Sequence, residues 1–300
     1  QQAGSLLPQL APPAPENQLE VPYDLTMPQP RRLRFPEPGP QSPADLILRA
    51  GKLELVGMSR ATVASAFAID AFKVAVDMGR CSRLLAAQET VLLTHCHSDH
   101  VAGLIAWLSA RVRRYRGAAA RVVLPSERRQ ALLAALDSWP DLDVVRRRVN
   151  LADVLLPATP GQEIQLSGDS WARAFAVHHT TVSLGWQIGE AGRSRPRVVA
   201  AGDSTILPFR EQPSLLDADL AVVECSFVEP GQRVAARLSG HAHLQEWLQL
   251  LPDLPSDTLV LAHLPQDLDF ERMRVLLADL PETGPRVIPW MEPRHRGRSD

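Results

Sequence analysis

The sequence predicts an α/β (α+β) protein in which two sheets pack face to face with helices on the outside. Three observations predict this. Short apolar or alternating runs, broken by turn residues, follow one another from about residue 46 to 188. The later runs Val198-Val199-Ala200, Leu220 to Val223 and Thr258 to Leu261 are continuously apolar, and the last two are followed by helical patterns. Finally, polar residues stand where apolar runs stop. His95, His179, Asp203 and His263 each follow one, which gathers them at a common sheet edge.

Taken in order, residues 1–45 hold 11 of the 26 prolines and can sustain neither helix nor central strand, so they read as an extended N-terminal arm. Arg31, Arg32 and Arg34 in that arm read either as a polyanion contact or as a solvated charge cluster. From Asp45 the texture changes. Strands are expected at Leu46–Leu48, Leu53–Val56, Ala66–Ile69, Val74–Val76 and Val91–Thr94. A helix is expected over Asp99–Arg111, because Val101, Leu104, Ile105 and Leu108 share one face. A strand at Arg121–Pro125 precedes helical patterns over 126–138 and 141–148, and strands resume near 163–166, 172–178 and 182–188. No repeat of fixed period is present. This gives one domain over 46–293 and a basic tail at 294–300.

Bulk properties set outer bounds. With 300 residues, 45% hydrophobic and 22% charged, the chain is long enough for one large domain of ordinary composition. The net charge of −2 supplies no global pull toward nucleic acid. An odd number of widely spaced cysteines, Cys81, Cys96 and Cys225, argues against a disulfide framework and for a reducing, cytoplasmic setting. No run of 18 or more apolar residues spans a membrane. The chain begins at Gln1 rather than Met, which leaves room for a removed leader.

The densest chemistry lies in Thr94-His95-Cys96-His97-Ser98-Asp99-His100. On a strand that ends near Thr94 the side chains alternate, so His95 and His97 point the same way and Cys96 points away. Asp99 and His100 fall in the first turn of the next helix and can face a second ion beside the first. Imidazoles with carboxylates and no thiolate suit Zn²⁺ or a similar borderline cation. Three cysteines exclude a four-Cys structural site.

With these residues, the chain resembles the metallo-β-lactamase superfamily and, within it, the ribonuclease Z branch. Residues 94–104, THCHSDHVAGL, match the superfamily signature. Val74 to Cys81 is similar to the strand and Asp-x-Gly turn of the short plant-type form. HHTTVSLGW at 178–186 resembles the third motif, in which the ligand stands six residues before the Gly; this selects His179 over His178. AAGDS matches the motif of the bridging aspartate, Asp203. Glu224-Cys225-Ser226-Phe227 resembles the branch's His-Glu-Ala-Thr-Phe element, Gly240 to Leu244 its Gly-His-x-His-Leu segment, and His263 its last ligand.

The resemblance implies an αββα sandwich and a dinuclear zinc phosphodiesterase, with Mn²⁺ or Fe as alternative metals. It assigns His95, His97 and His179 to one ion, Asp99, His100 and His263 to the other, and Asp203 to both. It implies hydrolysis of an RNA phosphodiester by metal-bound hydroxide, as in tRNA 3′ trailer processing, with Asp99 orienting the nucleophile. His241, oriented by Glu224, donates a proton to the leaving oxygen; a surface helix cap is the plainer reading of that pair. RNA, or a small phosphodiester, is the implied partner, and a homodimer the implied assembly. Asp77 reads as a support behind a ligand or as a turn aspartate. Ser183 reads as a phosphate contact or as a buried strand serine. His243 is read as structural or as a support behind a ligand.

Three departures bear on substrate. The protruding Lys-rich arm of the branch is missing between Leu108 and His178; Arg113, Arg114 and Arg116 around Tyr115, and Arg146 to Arg148, stand there instead. They read as phosphate contacts or as solvated helix ends. Gly185-Trp186 and Gly202-Asp203 are separated by only residues 187–201, and His263 is followed by Leu264-Pro265-Gln266 rather than the phosphate-binding Phe-Ser-x-Arg-Tyr. A small-molecule metallo-hydrolase acting on a cyclic nucleotide, thioester, lactone or β-lactam is therefore the alternative. A redox di-iron relative is disfavoured by His97, and a non-catalytic scaffold by the seven retained ligand positions.

Overall fold

The computed structural model describes residues 37–38, 45–115 and 120–292. Most of the Pro-rich arm, including Arg31, Arg32 and Arg34, lies outside the described residues, as do Arg116 and the basic tail 294–300. Among the described residues one sheet contains, in spatial order, β1 (Glu37–Pro38), β2 (Leu46–Ala50), β3 (Leu53–Arg60), β4 (Ala64–Ile69), β5 (Val74–Val76), β6 (Thr90–Leu92), β7 (Arg121–Pro125) and β8 (Leu155–Ala158). The second runs β15 (Arg286–Pro289), β14 (Thr258–Ala262), β13 (Leu220–Glu224), β12 (Val198–Ala200), β11 (Leu184–Glu190), β10 (Ser170–Ala176) and β9 (Glu163–Gln165). Each sheet begins as an antiparallel meander and turns parallel, at β5–β6 and at β12–β13.

Burial explains the reading of each strand. β3 alternates, with Leu53 and Leu55 inward and Glu54 out, as a strand with one wet face should. β13 and β14 are buried along their whole length and are accordingly apolar throughout. Leu55, Phe67 and Leu92 of the first sheet pack between the layers against Trp186, Ile188 and Ile288 of the second. On the outer face of the first sheet, Val91 and Leu93 pack with Leu104, Trp107 and Leu108 of α3 (Leu104–Arg114). On the outer face of the second, Val223 and Leu261 pack with Trp247 of α9 (Leu244–Leu250) and Met273 of α10 (Phe270–Leu276). Four layers result, helix–sheet–sheet–helix.

The structure modifies several expected elements. The helix expected over Asp99–Arg111 is two pieces, α2 (Ser98–Val101) and α3. Gly103 at the break lies against the Arg80 backbone so closely that a Cβ would stand 2.4 Å from a carbonyl carbon, and its N–H donates to the Met78 carbonyl. β8 and β15 were not expected: both are short parallel strands containing a proline, and neither has a polar–apolar period to read. Among the described residues no helix is long and apolar enough to cross a membrane.

Candidate metal centre

Two hydrogen bonds join the sheets beneath the site. Leu184 N donates to Thr94 O at 2.8 Å, and Trp186 Nε1 donates to Leu93 O at 3.1 Å. They fix the loop after β6 against β11. Asp77, at the end of β5, adopts a left-handed backbone with φ 54°. Its buried carboxylate accepts from Thr94 N at 2.7 Å and from Thr94 Oγ1, and faces His100 Nδ1 at 2.8 Å. Gly79, two residues on, has no room for a Cβ, which would meet Asp99 O at 1.8 Å. The turn after β5 therefore holds both the start and the end of the histidine motif.

All seven residues expected to ligate metal converge. The ligand atoms of His95, His97 and His179 lie within 4.8 Å of one another, as do those of Asp99, His100 and His263, and those of His95, His100 and Asp203. Asp203 Oδ2 occupies the middle, 3.8 Å from His95 Nε2, 3.5 Å from His100 Nε2 and 3.6 Å from His263 Nε2. His178 turns instead to Thr205 Oγ1, at 3.0 Å.

The inner faces of these rings are left for a cation. Nδ1 of His95 faces Thr94 Oγ1 at 3.0 Å, Nδ1 of His100 faces Asp77, Nδ1 of His179 faces Gly240 O at 2.9 Å and Nδ1 of His263 faces Ser226 Oγ at 2.8 Å. Such outer contacts fix the ring orientation and free Nε2 to ligate. His95 Nε2 is buried and has no hydrogen-bond partner. A buried nitrogen in that state is costly unless something electrophilic meets it. His263, like Asp77, is left-handed, with φ 52°, a backbone strain of the sort found at functional sites.

The electrostatics agree. Burial, helped by the neighbouring imidazoles, holds His95 well below the ordinary imidazole range. Burial also pulls His100 down, but the carboxylates of Asp203 and Asp77 outweigh it and hold that ring well above its usual value. Asp203 is buried, which pushes its carboxyl up, yet His263 and His100 bring it well below the carboxylate range. Burial likewise raises Asp99, and the hydrogen bond to His263 overcomes it, bringing Asp99 to about 2. The floor of the site thus carries negative charge that calls for a cation, and a divalent ion there would displace the proton from His100. The oxygen-and-imidazole donor set fits Zn²⁺ or a similar ion.

Beside this cluster stands a second one. Glu224, at the end of β13 and buried, accepts hydrogen bonds from Ala242 N, from Ser226 N at 2.9 Å and from Ser226 Oγ at 2.7 Å. His241 Nδ1 is 3.5 Å from Glu224 Oε1, 3.2 Å from Ser226 Oγ and 4.0 Å from Asp203 Oδ2. Burial lowers His241, but Glu224 more than offsets this and the ring sits above its usual value. Ser226 therefore touches Glu224, His241 and His263 together, a position that its place in the sequence does not disclose. His243 caps α9, its Nδ1 accepting from Gln245 N at 3.1 Å.

Two clefts flank the centre. One is lined by Thr62, Ser226, Phe227, His241, His263 and Gln266. The other is lined by Arg128, His179, Thr180, Thr181 and Ser183, among others. Ser183 is buried and its hydroxyl donates to Thr181 O at 3.1 Å. Arg113 and Arg114 are not brought to the centre: they are exposed at the far end of α3, and neither lines either cleft. Cys96 packs half-buried against the outer core of the first sheet, where burial pushes its thiol up to about 11. The contacts of Arg128 and Thr62 were also unforeseen. Thr62 N donates to Asp99 Oδ2 at 3.1 Å across the β3–β4 turn.

A four-layer sandwich whose sheet edge gathers histidines and aspartates is the metallo-β-lactamase fold, a fold of metal-dependent hydrolases. The family model described as "Beta-lactamase superfamily domain" matches residues 75–264, and the chain belongs to that superfamily. No curated protein matches the sequence. Among solved structures it is similar to the metallo-β-lactamase fold protein YhfI from Bacillus subtilis, at 17% identity and a TM-score of 0.57, over 78% of this chain and 94% of that one. It is similar to the short form of human tRNase Z at 18% identity and a TM-score of 0.50, over 76% and 89% of the two chains. Unliganded yeast PDE1 is 15% identical with a TM-score of 0.52, over 70% and 68%. At such identities the likeness is one of fold.

Proposed function

We propose that this chain is a dinuclear phosphodiesterase resembling ribonuclease Z that hydrolyses an RNA phosphodiester, with the 3′ trailer of precursor tRNA as the substrate to test. The carrying observation is the Glu224–His241 pair beside the metal-ligating cluster. A thiolate can leave without a proton, so a thioester makes little demand on such a pair, whereas the alkoxide leaving an unactivated phosphodiester needs one. His95, His97 and His179 would hold one cation, Asp99, His100 and His263 the other, and Asp203 both. Two such ions supply Lewis acidity and a nucleophile from water at neutral pH.

The chain's own residues do the rest. Asp99 and His263 orient one another, with Asp99 Oδ2 at 3.2 Å from His263 Nε2 and anchored by Thr62 N. Glu224 and Ser226 engage Nδ1 of His241, which leaves Nε2 to carry a proton to the leaving oxygen in the cleft along Phe227 and Gln266. A poised general acid contributes about 10²–10⁴-fold. His241→Ala should therefore slow hydrolysis of an unactivated diester by that factor, with zinc content unchanged.

A second reading keeps the chemistry and changes the substrate. The β11–β12 connection is only residues 191–197, and α3 carries Arg113 and Arg114 away from the clefts. Both favour a small phosphodiester over a folded RNA. The experiment is cleavage of labelled precursor tRNA and of bis(p-nitrophenyl) phosphate by the zinc-loaded protein, with a chelator control. Chelator-sensitive release of the trailer supports the first reading, and cleavage of the small diester alone supports the second. Metal binding with neither activity would overturn the phosphodiesterase assignment.

A further inference from the structure

Arg128 has no structural employment equal to its position. Its neighbour Arg129 spends its guanidinium on the backbone, Nε on Leu155 O and Nη2 on Ala152 O, both at 2.7 Å. Arg128 instead reaches across to the β10–β11 turn, where Nη2 donates to Thr181 Oγ1 at 2.6 Å. Its Nε is buried with no partner. Among the described residues no carboxylate pairs with it. Glu127 shares the cleft, but its carboxylate accepts from Ser126 Oγ at 2.8 Å.

The surroundings define what such a cation meets. Thr180 Oγ1 is 3.5 Å from His179 Nε2, so the Thr180–Thr181 turn connects Arg128 directly to one of the rings of the centre. Arg128 is also the one Lys or Arg among the residues lining either cleft. A planar guanidinium held by one threonine hydroxyl, with no carboxylate among the described residues to neutralise it, matches the geometry of a phosphate.

We infer that Arg128 and Thr181 form an anion subsite that takes a phosphate of the substrate other than the one being hydrolysed, in the cleft lined by His179 rather than the one lined by His241. The inference rests on the phosphodiesterase reading and narrows it: the preferred substrate carries a second phosphate next to the scissile one. That describes an oligonucleotide or a phosphorylated dinucleotide, and it disfavours a diester with a single phosphate.

The test compares the dinucleotide UpU with its 5′-phosphorylated and 3′-phosphorylated forms, on the zinc-loaded full chain. The expected result is that one phosphorylated form exceeds UpU by about tenfold or more in kcat/KM, carried by KM, since charge-assisted Arg–phosphate bonds are strong. Arg128→Gln should abolish the difference and Arg128→Lys should restore part of it, with zinc content equal to wild type in both. A readout without turnover is calorimetric binding of a nucleoside 3′,5′-bisphosphate against the 3′- and 5′-monophosphates. The bisphosphate should bind more tightly than either monophosphate to wild type, and with no advantage to Arg128→Gln. Wild type that gains nothing from the second phosphate, or Arg128→Gln that keeps the gain, overturns the subsite. A retained bisphosphate advantage with no cleavage of any dinucleotide would instead overturn the phosphodiesterase reading and leave the subsite standing.

Discussion

The two proposed cation sites share Asp203 but are built differently. Asp99, His100 and His263 sit low in the fold: His100 and His263 are buried, Asp77 backs one, and Ser226 backs the other. His95, His97 and His179 sit higher, with His95 buried, His179 half-buried and His97 exposed. Carboxylates surround the low site, while the high one is imidazole alone apart from the shared aspartate. The low site is therefore part of the fold's own electrostatics. The high one lies on loops at the sheet edge, where the three rings already converge but only His95 is buried.

Asp203→Ala should do most damage, because it removes the one carboxylate common to both sites. Metal analysis should find less than one ion per chain, and activity should fall at least about a thousandfold. A variant that still holds two ions would break the assignment of Asp203 as the shared group.

The comparison sharpens with one ligand from each site. His100→Ala takes the imidazole from the buried Asp77 carboxylate and leaves it only the Thr94 donors, so the metal-free protein should lose about 3 kcal/mol in urea unfolding. His97→Ala removes an exposed ring and should cost no more than about 0.5 kcal/mol. Both should lose metal. Equal destabilisation in the two would contradict the division into a structural and a loosely held site.

Smaller effects follow from groups behind and beyond the ligands. Asp77→Asn keeps the shape but weakens the acceptor behind His100, and should reduce metal affinity about 10–100-fold. At the far end of α3, replacing Arg113 and Arg114 with Ala should leave bis(p-nitrophenyl) phosphate hydrolysis within about twofold. A large loss there would mean that the helix end reaches the substrate by a route the clefts do not reveal.

The contrast between the two sites also explains what the sequence could disclose. His95, His97, Asp99 and His100 are legible because four candidate ligands crowd into six positions where a strand gives way to a helix. His179, Asp203 and His263 are legible only as polar residues at strand ends, and choosing His179 over His178 took a spacing rule. Asp77 could be read as a turn residue or as a support, and the structure puts its carboxylate on Thr94 and His100. Ser226 and Arg128 were not legible. Serine before a phenylalanine, or an arginine after a strand, carries no local mark, and Arg128 meets Thr181 at a separation of 53 residues. The broken α2–α3 helix was hidden for a related reason: apolar spacing continues across Gly103, and only the close approach of Arg80 shows why the helix stops.

The spread of the cluster along the chain also has a temporal meaning. His100 and His263 face each other at 3.4 Å but lie 163 residues apart. At about 5–20 residues per second, a ribosome needs roughly ten to thirty seconds to pass from one to the other. At the start of that interval the nascent chain carries His95, His97, Asp99 and His100, and His179 and Asp203 join them before His263. Metal that arrives early can meet only the amino-terminal motif. The full set of candidate ligands forms when the last parallel strands dock, so acquisition of a complete metal centre is tied to completion of synthesis.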